Sequence, residues 1–76
     1  MSRVSLAHIK ANQKCRIVEI NGGLNLRQRL MSMGVYEGKE VVKLSHIGLR
    51  GPVVIKSGRS VLALGHGMAA KIIVEA

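Results

Sequence analysis

Apolar positions along the chain fall into short runs, most of them too short and too β-branched for helices. Residues 14–20, KCRIVEI, read as a strand with Cys15 and Ile17 on one face and Val18 and Ile20 on the other. Strict alternation fails after Ile17, which predicts a bulge or burial on both sides. Residues 37–46, EGKEVVKLSH, open on a glycine turn and run into a second strand. VVIK and RSVLALG flank Ser57-Gly58, the pattern of a tight hairpin. KIIVE, residues 71–75, makes the last strand. Pro52 closes the loop IGLRGP; without an N–H it can only start or edge the strand behind it.

One stretch has a different period. After the turn signal NGG, Leu26, Leu30 and Met33 recur at i, i+4 and i+7 and share a helical face. Asn25 stands where an N-cap belongs, and Gln28 can reach back to it. Gly34 occupies the position after the helix where a left-handed backbone is wanted. The helix therefore spans about residues 25–33, with Arg27 and Gln28 pointing away from its apolar stripe. Residues 6–9 suit one helical turn with Ser5 as its cap, and HGMAA suits another before the last strand. Short strands in so small a sheet hide their edges by curling. The expectation is one domain over residues 1–76, mainly β: a five-stranded, partly open SH3-like barrel with one inserted helix.

Composition sharpens this picture. A chain of 76 residues builds a single core, and Tyr36 is its only aromatic residue. That core must come from Val, Ile, Leu, Met and Ala, and β-branched residues favour strands. Cys15 is the only cysteine, which excludes an internal disulfide; its place in an apolar strand predicts a buried structural thiol. No apolar run approaches the ~20 residues of a membrane span, and the N-terminus lacks the run of a signal peptide. A cytoplasmic protein without direct membrane insertion is expected. Twelve Lys and Arg against four acids give a formal charge of +8. That field attracts nucleic acid, anionic lipid or an acidic protein surface and repels metal cations. The basic residues are scattered, which also suits a solvated surface.

Candidate chemistry is sparse. The acids Glu19, Glu37, Glu40 and Glu75 are not spaced to group with a histidine. Gly34–Glu40 fails as a phosphate loop: three residues separate the glycines where four are needed, and Glu40 replaces the hydroxyl residue. His8, His46, His66 and Cys15 lie in separate segments without paired metal-ligand spacing. Adventitious zinc on one of them is conceivable, but no dedicated metal site, cofactor or catalytic residue is expected. Nucleic-acid binding would rest on phosphate contacts, since a single tyrosine offers no stacking platform.

The helix and its turn resemble the signature of the FeoA family in Leu26, Arg29-Leu30, Met33-Gly34 and Gly38, followed by Val41. Gly51-Pro52, Gly58-Arg59, Ala63-Leu64 and the final Ala70, Ile72, Val74 and Glu75 extend the likeness, so that it runs from Leu6 to Glu75. Two residues depart from the pattern. Lys43 stands where an apolar strand residue is common, and Arg50 where a small or acidic one is; both read as surface chemistry. The resemblance implies an SH3-like barrel and a non-enzymatic accessory of ferrous-iron uptake. Its partner would be the cytoplasmic GTP-binding domain of the FeoB permease, giving peripheral attachment to the inner membrane through that partner. Arg27, Gln28, Arg29 and Tyr36 become docking candidates, with Arg29 alternatively bonding turn carbonyls and Met31 alternatively in the core. Strand addition or self-association at exposed barrel edges is a second route. The same domain type resembles the C-terminal module of DtxR-type regulators, leaving open a nucleic-acid binder or a partner module of such a regulator.

Overall fold

The computed structural model describes residues 3–46, 48 and 50–76. Ile47 and Leu49 of the expected loop before Pro52 lie outside the described residues. The elements run β1 (Arg3–Ser5), β2 (Gln13–Ile20), α1 (Leu24–Ser32), β3 (Glu40–His46), β4 (Val53–Ser57), β5 (Ser60–Leu64), α2 (His66–Ala69) and β6 (Ile72–Glu75). All strand pairs are antiparallel, in the order β1-β6-β2-β3-β4-β5. The mainly β class and the inserted helix match the expectation, but six strands form where five were expected. The addition is β1, three residues that pair Val4 with Val74. So short a run carries no periodicity to read. The described strands form one curled sheet with two free edges; they do not close a hydrogen-bonded ring.

The break in alternation in β2 is a bulge: pairing with β6 jumps from Ile17–Val74 to Glu19–Ile73, leaving Val18 unmatched. A second irregularity falls between Lys43 and Ser45 where β3 meets β4. The sheet curls around Leu6, Ile17, Leu30, Val35, Val53, Ile55, Ile72 and Val74, all fully buried.

A nine-residue helix is marginal by itself, so α1 persists through the face it buries. Leu30 is fully buried, and Leu26 and Met33 pack against the core beside it. The N-terminal expectation needs correcting: Gly23 is the cap residue, no side chain bonds the first turn, and Asn25 lies inside the helix. Gly22 lies against the first turn of α1, where a Cβ would meet Leu26 Cδ2. At the other end Gly34 takes φ +84°. Its N–H donates to Met31 O at 3.0 Å and the Val35 N–H donates to Leu30 O at 2.8 Å. This is a Schellman motif, and the buried pair Val35 and Leu30 supplies its apolar contact.

The reading of Lys43 as surface chemistry is overturned. Lys43 is 2% exposed. It follows Val41 by two along β3, so the pleat turns both inward, opposite Gln13 and Ile55. Its Nζ donates to Ala7 O at 3.1 Å and Ile9 O at 2.7 Å, and lies 3.5 Å from His46 Nδ1. The ammonium thereby fastens the turn of residues 6–9 to the sheet. Ser5 caps that turn through its backbone, accepting the His8 N–H, while its hydroxyl shares a 2.6 Å hydrogen bond with His8 Nδ1. Desolvation holds the Lys43 pKa below its ordinary 10.5.

Candidate docking groove on α1

The turn after α1 brings two of the predicted docking residues together. Residues 36–39 form a tight turn, with the Lys39 N–H donating to Tyr36 O at 3.1 Å and Gly38 at φ +93°. A positive φ at the third turn residue is the demand of a type II turn, which only glycine meets cheaply. Two backbone bonds tie this turn to β2: Gly38 N–H to Ile17 O at 2.7 Å and Ile17 N–H to Lys39 O at 2.9 Å. Glu37 is thus held within 3.2 Å of Arg27 Nη2. Ile20, Arg27, Met31, Tyr36 and Glu37 line a cleft of about 200 Å³.

The cleft has an apolar floor and a charged rim. Met31 is 61% and Tyr36 39% exposed. Met31 is therefore surface, against the alternative that placed it in the core: on α1 it adjoins Arg27 and lies off the Leu26–Leu30–Met33 stripe. Gln28 and Arg29 are exposed but do not line the cleft. Among the described residues, the Arg29 side chain bonds no turn carbonyl; its own carbonyl accepts Ser32 Oγ at 2.7 Å. Its charge in the last turn still complements the helix dipole. Of the structural motif residues, Leu26, Leu30, Met33 and Gly34 shape the helix, Gly38 shapes the turn, and Gly51 and Pro52 lead into β4. Sequence reading missed Ile20 and Glu37 as neighbours of Arg27, because a turn and a strand end supply them.

A second concavity, of about 240 Å³, is lined by Lys14, Cys15, Arg16, Glu40, Glu75 and Ala76. Its charges are already matched, Lys14 to Glu40 at 3.6 Å and Arg16 to Glu75 at 3.9 Å. Cys15 is 3% exposed, and burial pushes its thiol up to about 11, the opposite of an activated nucleophile. His46 and His66 stack with ring centroids 5.5 Å apart. Among the described residues, His46 Nε2 and His66 Nδ1 are buried without a hydrogen-bond partner, and no three His, Cys, Asp or Glu side chains gather to hold a metal. Among the described residues no helix is long and apolar enough to cross a membrane.

The FeoA domain pattern matches residues 4–76. The chain belongs to the FeoA family. A candidate Fe(2+) transport protein A of Methanocaldococcus jannaschii is 36% identical over 70 residues, covering 92% of this chain and 83% of its own. The crystal structure of an iron uptake regulatory protein, FeoA, superposes with a TM-score of 0.87 at 33% identity, covering 99% of this chain and 97% of the other. A manganese-dependent transcriptional repressor shares the fold alone, with a TM-score of 0.87 at 15% identity, over 97% of this chain and 41% of the repressor.

Proposed function

We propose that this chain is a non-enzymatic accessory of ferrous-iron uptake that docks, through the α1 groove, on the cytoplasmic GTP-binding domain of a FeoB-type permease. The observation that carries this is the groove: Met31 and Tyr36 exposed beside Ile20, with Arg27 and Glu37 paired above them. An exposed aromatic and an arginine around apolar surface are the residue types that anchor protein interfaces. The iron-transport names carried by its relatives support the choice of partner. The formal +8 charge would speed encounter with an acidic surface and make it salt-sensitive.

The test is a pull-down and titration against the permease's cytoplasmic domain at low salt. Met31→Asp and Tyr36→Ala are expected to weaken binding by roughly tenfold or more each, as interface anchors do, while leaving the melting transition nearly unchanged. Failure of the intact chain to bind at low salt would sink the reading. Undiminished binding by both variants would move the interface elsewhere.

A further inference from the structure

The two free edges of the sheet are built differently. β1 is three residues long, and its Arg3 is locked to Glu75 at 3.3 Å. A short, charged edge is the ordinary protection against a strand from outside. β5 is five residues, SVLAL, with no charge and no proline, and its pairing with β4 runs without a bulge. The edge residue Val61 is 61% exposed.

The hairpin fixes which backbone groups face outward. Gly58 at φ +62° opens a two-residue turn closed by Ser57 and Ser60, the arrangement of a type II′ turn. The closing pair exchanges its bonds across the ladder, so by alternation Val61 and Ala63 direct their N–H and C=O away from β4. Among the described residues, no loop or cap bond reaches those groups. Three cations stand near this edge. Lys56 stands across from Val61, Arg59 lies in the turn, and Lys39 Nζ comes within 3.7 Å of a Cβ placed on Gly58. Among the described residues, none of the three is in a salt bridge.

From this contrast we infer that β5 accepts an added strand from a partner, an extended segment in which acidic residues alternate with apolar ones. Backbone bonds to Val61 and Ala63 supply the pairing, the partner's apolar residues cover Val61, and its carboxylates meet Lys56, Arg59 and Lys39. A second copy of this chain fits poorly, because it would bring the same cations and the same +8 charge to the edge. The surface is separate from the α1 groove and does not depend on it.

The probe is a capped peptide of about seven alternating Glu and Val residues, long enough at ~3.3 Å per residue to span the edge. Its counterpart alternates Lys and Val. Hydrogen exchange on the full chain is expected to show new protection at the Val61 and Ala63 amides with the Glu peptide only. Raising salt from about 0.05 to about 0.3 M shortens the screening length and is expected to weaken binding roughly tenfold. Val61→Pro deletes one outward N–H and is expected to weaken binding about fivefold, one net hydrogen bond. If that variant misfolds, backbone N-methylation of the peptide's facing edge removes the same bonds without touching the protein. Equal binding of the two peptides, or no change at those amides, overturns the proposal. So does protection that appears without peptide and grows with protein concentration, which would place a second copy on β5.

Discussion

Arg27 and Lys43 are both cations set against apolar surface, and the fold treats them in opposite ways. Arg27 stands on α1 with its side chain 48% exposed and its charge met by Glu37. Lys43 is 2% exposed and meets backbone carbonyls and an imidazole, with no carboxylate bridged to it among the described residues. Water screens the first pair, so it contributes ~0–1 kcal/mol and leaves Arg27 free to change partners. The second cation gives up its hydration, and the carbonyl dipoles offset only part of that loss, hence its depressed pKa. One cation stays in water at the surface and the other is a strut. Charge does not distinguish them; the phase of the backbone does.

The strongest way to break this contrast is to bury a charge where no carbonyl waits. Leu30 is fully buried at the centre of the α1 contact. Leu30→Asp is expected to cost on the order of 4 kcal/mol or more, enough to abolish a cooperative melt followed by circular dichroism. A variant that still melts cooperatively near the parent temperature would show that α1 does not hold the core shut. Next in size is Lys43→Met, which keeps the stem but strands Ala7 O and Ile9 O. About 1–3 kcal/mol is expected in urea unfolding, the usual cost of leaving buried acceptors unpaired. No loss would mean that those carbonyls find other donors and that Lys43 is no strut.

The same lysine sets a pH dependence of unusual sign. Its folded pKa lies below the unfolded 10.5, so between the two values the unfolded chain binds more protons and stability rises with pH. Cys15 opposes it: raised from 9.0 to about 11, the folded thiol keeps its proton longer than the unfolded one, and stability falls above about pH 9. Urea midpoints across alkaline pH are expected to lose the rising limb in Lys43→Met and the falling limb in Cys15→Ala. Unchanged profiles would remove both assignments. The smallest effect belongs to Arg27→Ala, expected to shift stability by no more than ~1 kcal/mol. A larger loss would make Arg27 a strut as well.

The strands, the inserted helix and the β2 bulge were legible because period and its failure are local properties of the chain. The helix exit was legible for the same reason: Gly34 follows an apolar stripe and meets a chemical need. The helix entry was not: Gly23 takes the cap position without any side-chain bond, an outcome that side-chain capping preferences do not contain. Lys43 misled because apolar residues flank it on both faces of β3, Val41 in its own phase and Val42 and Leu44 in the other. Its departure from an apolar family position was the available signal, and inward burial was the reading that signal favoured. Arg27 and Tyr36 were read as surface residues, whereas Glu37 and Ile20 join them in the groove through the β2 bonds that fix the turn.

One hydroxyl links the helix to the hairpin. Ser57 Oγ donates to Gly34 O at 2.7 Å, from the last residue of β4 to the residue just past the end of α1. Ser57 is also the residue that closes the β4–β5 turn. A rotation of α1 that pulls Gly34 away strips the turn of its anchor, and a shift of the turn tugs on the helix exit. Ser57 is thereby the bolt between the helix exit and the hairpin.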